Sequence, residues 1–172
     1  MQSRREVQRE QNRGSALRTI RNILLTILIL LLVGWSIYAV ANQPRAAARR
    51  QTVTMAKQYA HLHSPGHFYI FNRESTYYSI TGRNQSNQPI LVIVPQHGGS
   101  IRVVKQANGV TEQQVRAMTM ANRHPTQIMK IAPGIFNGKV VWEVTYRSHQ
   151  GKLCYDLVNF KNGRYVQQIN NL

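Results

Sequence analysis

Glu143 and Asp156 are the two carboxylates whose setting invites chemistry. They lie on neighbouring strand-like segments, Lys139 to Ser148 and Lys152 to Phe160, and could face one another. A facing carboxyl pair is what acid–base cleavage of a glycan needs: one group donates a proton while the other attacks or activates water. The same residues have a structural reading. On a half-exposed strand one residue faces the core and its neighbour faces water, and Tyr155-Asp156 would satisfy that pattern. His61, His63 and His67 form a second group, with the look of metal ligands. On a helix end, residues two apart do not share a face, and the cluster has neither cysteine nor a well-placed carboxylate. Cys154 is the single cysteine. It rules out an intrachain disulfide, and among Leu153, Tyr155 and Leu157 it reads as a small buried hydrophobe. The chain has no glycine-rich phosphate cradle, no His-Glu-x-x-His helix and no Gly-x-Ser-x-Gly elbow. The expectation is a protein that is not an enzyme, with no catalytic, cofactor-binding or metal-binding residue to assign.

Charge is the strongest compositional signal. The chain of 172 residues has 22 basic and 6 acidic residues, a formal net charge of +16. From Asn42 onward the only acids are Glu74, Glu112, Glu143 and Asp156. A field of that sign attracts polyanions. Outside a membrane these would be anionic lipid headgroups or wall polymers such as teichoic acid. Nucleic acid suits the charge but not the topology. The basic residues are also scattered singly, as on a plain solvated surface.

The elements that would position these groups begin with an unbroken apolar run, Ile23 to Val40. Its 18 residues carry no charge. As a helix the run would be ~27 Å long. That is just enough for a hydrocarbon core of ~30 Å. Trp35 and Tyr38 sit near its end, where amphipathic rings suit the headgroup level. Arg4, Arg5, Arg9, Arg13, Arg18 and Arg21 precede it, and this dense basic flank should stay in the cytoplasm. Ala39-Val40-Ala41 has the small-x-small pattern of a signal-peptide cleavage site, but the run exceeds a usual signal core of ~7–15 residues. The reading is a cytoplasmic basic tail (1–22), a membrane anchor (23–41) and an extracellular part in two modules (42–106 and 107–172).

Both modules read as α+β. Asn42-Gln43-Pro44 is expected to break the first helix, and Pro44 to open a new one. Arg45 to Leu62 is alanine-rich and helical, ended by Ser64-Pro65-Gly66, with Val53, Ala56 and Ala60 as its buried stripe. Strands follow at His67 to Phe71, Ser75 to Thr81, Pro89 to Val94 and Ile101 to Val104. Thr111 caps a second helix, with Gln114 in the capping-box position, and His124-Pro125 stops it at Arg123. A second meander runs from Ile128 to Phe136, interrupted near Pro133-Gly134, then through Asn137-Gly138 into Lys139 to Ser148, Lys152 to Phe160 and Arg164 to Ile169. The order helix-then-meander thus occurs twice. Each helix would cover one face of an antiparallel sheet, the minimum two-layer core. Tyr69, Tyr77, Tyr78, Tyr146 and Tyr155 give the strands an aromatic face.

Several segments together resemble the TseB-like cell-wall elongation regulators of Gram-positive bacteria. They are Gly138-Lys139-Val140-Val141-Trp142-Glu143-Val144-Thr145-Tyr146, Gly151-Lys152-Leu153-Cys154-Tyr155 and Asn159-Phe160-Lys161-Asn162-Gly163. Ile90-Leu91-Val92-Ile93-Val94-Pro95 and Gly109-Val110-Thr111-Glu112 belong with them. The resemblance implies a single-pass membrane protein with two cystatin-like, PepSY-related modules outside. It also implies a non-enzymatic role, binding a penicillin-binding protein and modulating cell elongation. The family supplies no catalytic residues. Its recurrent positions fall here on Trp142, Glu143, Tyr146, Tyr155 and Gly163, and they look structural. A function of another class is protease inhibition, with Gly82 to Gln88 and Gln96 to Ser100 as the exposed loops that would serve it.

Arg45, Arg49, Arg50 and Lys57 follow the anchor most closely and would face an anionic surface first. Each is expected to contribute up to ~1 kcal/mol there. A fragment of residues 42–172 should therefore bind anionic vesicles or teichoic acid at low salt. Binding should weaken at physiological salt, where the screening length is ~8 Å. Reversing two of the four charges should weaken it further in a co-sedimentation assay. Salt-independent binding, or none, would leave these residues as solubilising groups only.

Overall fold

One helix, α1 (Ser3–Ala60), occupies the first third of the chain. The structure is a computed structural model describing residues 3–170, with the side chains of residues 3–17, 41 and 42 outside the description. The expectations resting on Arg4, Arg5, Arg9, Arg13 and Ala41 fall there. The chain divides into two compact units, Met1–Ala46 and Ala47–Leu172.

In the first unit the apolar run is exposed on all sides: Leu30, Leu31, Trp35 and Tyr38 each show more than 60% of their surface. Among the described residues this is the one helix long and apolar enough to cross a membrane. Its hydroxyls suit that environment, since Thr26 Oγ1 and Ser36 Oγ donate to the carbonyls of Asn22 and Leu32 at 2.9 and 2.8 Å. A hydroxyl satisfied within its own helix leaves no polar group bare in hydrocarbon. The expected break at Asn42-Gln43-Pro44 is not found, because Pro44 lies inside α1. Its fixed φ suits a helix, the loss is one N–H bond, and Ala46 to Ala48 favour helix beyond it.

The second unit opens with residues 47–60 of α1. The helix stops where His61 takes a left-handed φ of 50°. That is earlier than Ser64-Pro65-Gly66, which instead lies within β1 (Leu62–Asn72) at its register irregularities. The strand survives the proline because β1 is the end strand of its sheet, where a missing N–H costs no ladder bond. β2 (Thr76–Asn84), β3 (Pro89–Pro95) and β4 (Arg102–Lys105) complete a meander in the order β1-β2-β3-β4. Gly82 to Asn84 are strand, so the expected loop there shrinks to Gln85–Gln88.

The pattern then repeats. Thr111 caps α2 (Glu112–Arg123), and both arms of the Thr111–Gln114 capping box form. The second meander is β5 (Gln127–Phe136), β6 (Lys139–Arg147), β7 (Leu153–Asn159) and β8 (Tyr165–Ile169), in that order. Asn137 and Gly138 both have positive φ, as a two-residue hairpin requires. β5 runs through Pro133-Gly134 without the expected interruption.

β3 links the two layers of helix and sheet. Ile90, Val92 and Val94 pack with Ala56, Leu62 and Ile80 beneath α1. Leu91 and Ile93 point the other way and join Val115 of α2 with Ile131, Trp142, Val144 and Val158 of the second sheet. Phe71 of β1 closes the join by lying on Gly134 of β5, where any Cβ would strike its ring. Beside it Ser79 Oγ donates to the Pro133 carbonyl at 2.9 Å.

Gly134→Ala should overpack this contact and cost about 1–3 kcal/mol. Phe71→Ala should cost about 3–5 kcal/mol through the cavity it leaves. In the F71A background the G134A cost should shrink, because the clashing ring is gone. Chemical denaturation of the four proteins of this cycle would measure the coupling. Strict additivity would mean that the two residues do not act on one another.

Candidate functional site

β6 alternates between two environments. Trp142, Val144 and Tyr146 face the core under α2, while Val141, Glu143 and Thr145 face the opposite side of the sheet. The register pairs Glu143 with Leu157 and Val144 with Asp156. Neighbours along a strand point to opposite faces, so Glu143 and Asp156 lie on opposite sides of one sheet. The facing carboxylate pair is therefore not formed.

Each carboxylate is instead bound by cations. Glu143, 3% exposed, has Oε2 at 3.2 Å from Arg73 Nε and accepts from Lys130 Nζ at 3.1 Å through Oε1. Arg73 stands between β1 and β2, so this pair ties the first meander to the second sheet. Its Nη1 also donates to Gln167 Oε1 of β8 at 2.7 Å. Around the cluster, Met129, Thr145, Tyr155 and Ile169 line a shallow cavity of about 610 Å³. Tyr155 is half-buried there.

Asp156 is fully buried on the helix side and accepts from Arg123 Nε at 2.8 Å and from Tyr146 Oη at 3.4 Å. In the pair Tyr155-Asp156 it is thus the acid that faces the core. Arg123 ends α2, where a cation suits the helix dipole, and lies 4.6 Å over the Tyr165 ring. Burial works against its charge, but the hydrogen bond and charge of Asp156 outweigh that and raise its pKa. Tyr146 is pushed up to about 12, first by burial and then by the Asp156 carboxylate.

A third link runs from β1 to the start of α2. Tyr69 Oη donates to Glu112 Oε2 at 2.8 Å, and the Tyr69 ring meets Trp142 edge-on at 6.1 Å. Burial, then the bond to Glu112, raises the Tyr69 pKa far above its ordinary value. Trp142 Nε1 donates to the Val110 carbonyl at 2.9 Å, just before the helix cap. Gly163 has a φ of +69°, and a Cβ there would sit 3.3 Å from Met118 and Val110. So Trp142, Glu143, Tyr146 and Gly163 hold helix, sheet and neighbouring layer in register, and Tyr155 flanks the outer cavity.

The remaining sequence candidates are dispersed. His61 ends α1, and His63 and His67 lie exposed on β1. Among the described residues no three His, Cys, Asp or Glu side chains are grouped to hold a metal ion. Cys154 is buried in the second core. Arg45, Arg49, Arg50 and Lys57 are exposed, Arg45 in the first unit and the others in the second. Sequence reasoning missed the cationic partners Arg73, Arg123 and Lys130. A usable signal was present: an acid inside an apolar strand must find a cation or a donor.

The architecture defines an α+β protein with an N-terminal apolar helix and two antiparallel four-stranded sheets, each covered by a helix. Residues 51–95, from α1 through β3, match the model of the cell wall elongation regulator TseB-like domain, so the chain carries a domain of the TseB-like family. The solved structure of the YpmB protein from Bacillus subtilis has a similar fold, with a TM-score of 0.63 at 19% identity, over 70% of this chain and 95% of that one. No curated protein sequence matches the chain.

The phenol of Tyr146 yields a pH prediction. Its folded pKa lies above its unfolded value of 10.0, so the stability tied to its neutral form is intact below pH 10 and lost as pH rises towards about 12. Ionisation would set a phenolate beside the Asp156 carboxylate. Denaturant midpoints measured from pH 8 to 12 should fall more steeply for the parent than for Tyr146→Phe. Equal slopes would show that Tyr146 does not govern the alkaline loss.

Proposed function

We propose that this chain is a membrane-anchored, extracytoplasmic regulator of cell wall elongation that acts by binding, without catalysis of its own. The observation that carries the reading is the match of residues 51–95 to the TseB-like domain. The exposed apolar helix supports tethering, and the arginine-rich N-terminus supports an orientation with that end in the cytoplasm. A non-enzymatic role is supported by the placement of Glu143 and Asp156 on opposite faces, each engaged by cations. The partner expected from the family resemblance is a penicillin-binding transpeptidase. A tether would keep the modules near the membrane, where such synthases work, and raise their effective concentration for one another.

Two measurements check this together. Affinity-tagged protein should co-purify a penicillin-binding protein from detergent-solubilised membranes, and deletion should alter cell length or width. Normal cell shape together with no recovered transpeptidase would overturn the reading.

A further inference from the structure

β4 is the end strand of the first sheet, and among the described residues no strand pairs with its outer edge. Beside it opens a groove of about 810 Å³. Val104, Val140 and Phe160 give it an apolar floor, Val103 and Lys105 share the opposite face of β4 at its rim, and Lys139 and Lys161 stand along it. Val103 is 42% exposed although it belongs to a strand. Among the described residues no carboxylate lines the groove. Among the described residues the ion pairs take up Glu112, Glu143 and Asp156, and none includes a groove lysine.

We infer that this groove binds an extended acidic segment of another protein, one that alternates carboxylate with apolar side chains and adds as a strand to β4. An open strand edge supplies backbone hydrogen bonds to such a segment. Successive side chains of an added strand point to opposite sides, so an apolar set can meet Val104, Val140 and Phe160 while the acidic set lies on the side of Val103 and Lys105. The four residues of β4 span about 13 Å, which sets the scale of the segment. An anionic polyol phosphate would satisfy the lysines but offers no apolar side chain to the floor. A neutral apolar peptide would cover the floor and leave the lysines without counter-charges. The inference rests on the chain being a binding module, and it names the chemistry of what that module takes.

The test uses the full chain in detergent micelles and a fluorescein-labelled octapeptide alternating glutamate and valine. Anisotropy should report saturable binding that weakens with salt. Lys105→Gln, Lys139→Gln and Lys161→Gln should each weaken it about threefold, as for exposed ion pairs, and the triple variant about thirtyfold. Val103→Asp should weaken it as well, with the circular dichroism of the fold unchanged. No binding, or a triple-lysine variant that binds as the parent does, would overturn the inference. So would polyglutamate or polyglycerol phosphate competing as well as the alternating peptide, since charge alone would then suffice. Cell shape and transpeptidase recovery do not enter this assay, so the binding-site inference and the elongation reading can fail separately.

Discussion

Burial on both faces of β3 is the constraint around which the second compact unit is built. An antiparallel sheet covered by one helix commonly leaves its other face to water. Here Ile90, Val92 and Val94 face α1, and Leu91 and Ile93 face the second sheet, with four of the five less than 4% exposed. The first sheet therefore cannot stand alone without exposing an apolar face, and the second core is incomplete without Leu91 and Ile93. That shared layer explains why Phe71 lies directly on Gly134, and why Ser79 reaches a backbone carbonyl of β5. Two small modules that would each be marginal in isolation become one packed body.

The few acids act as connectors within that body. Glu112 receives Tyr69 and Arg116, Glu143 receives Arg73 and Lys130, and Asp156 receives Arg123 and Tyr146. Two of these sets join the first meander to the second helix-and-sheet layer. Buried pairs of this kind add little net stability over apolar packing, but breaking one leaves an uncompensated charge, so they act mainly on register. Their use inside the fold also shapes the surface. With Glu143 and Asp156 buried, the many exposed lysines and arginines dominate the outer field. Part of it lies along the free edge of β4.

The domain match and the fold match bear on different parts of this arrangement. The TseB-like segment runs from the second half of α1 to the end of β3, which is the shared layer itself. The similarity to YpmB extends over most of the chain and concerns the fold. The groove beside β4 lies just beyond the matched segment, at the junction with the second sheet.

Much of the local structure was determined by the sequence. Periodicity and propensity placed both helices, Thr111 and Gln114 built the capping box, and Asn137-Gly138 set a hairpin, because each depends only on residues within one turn of each other. Charge and hydropathy marked the apolar helix for the same local reason. The β-branched run Pro89 to Val94 held a further signal, since a strand buried on both faces loses its alternation. What covers each face was decided by tertiary packing. Whether Glu143 and Asp156 meet depends on strand register, where a shift of one residue exchanges the faces. Pro44 and Pro65 looked like breaks, yet one sits within a helix and the other in an end strand that tolerates it. The lysines of the groove come from β4, β6 and the β7–β8 turn, and only the packing of the two sheets brings them together.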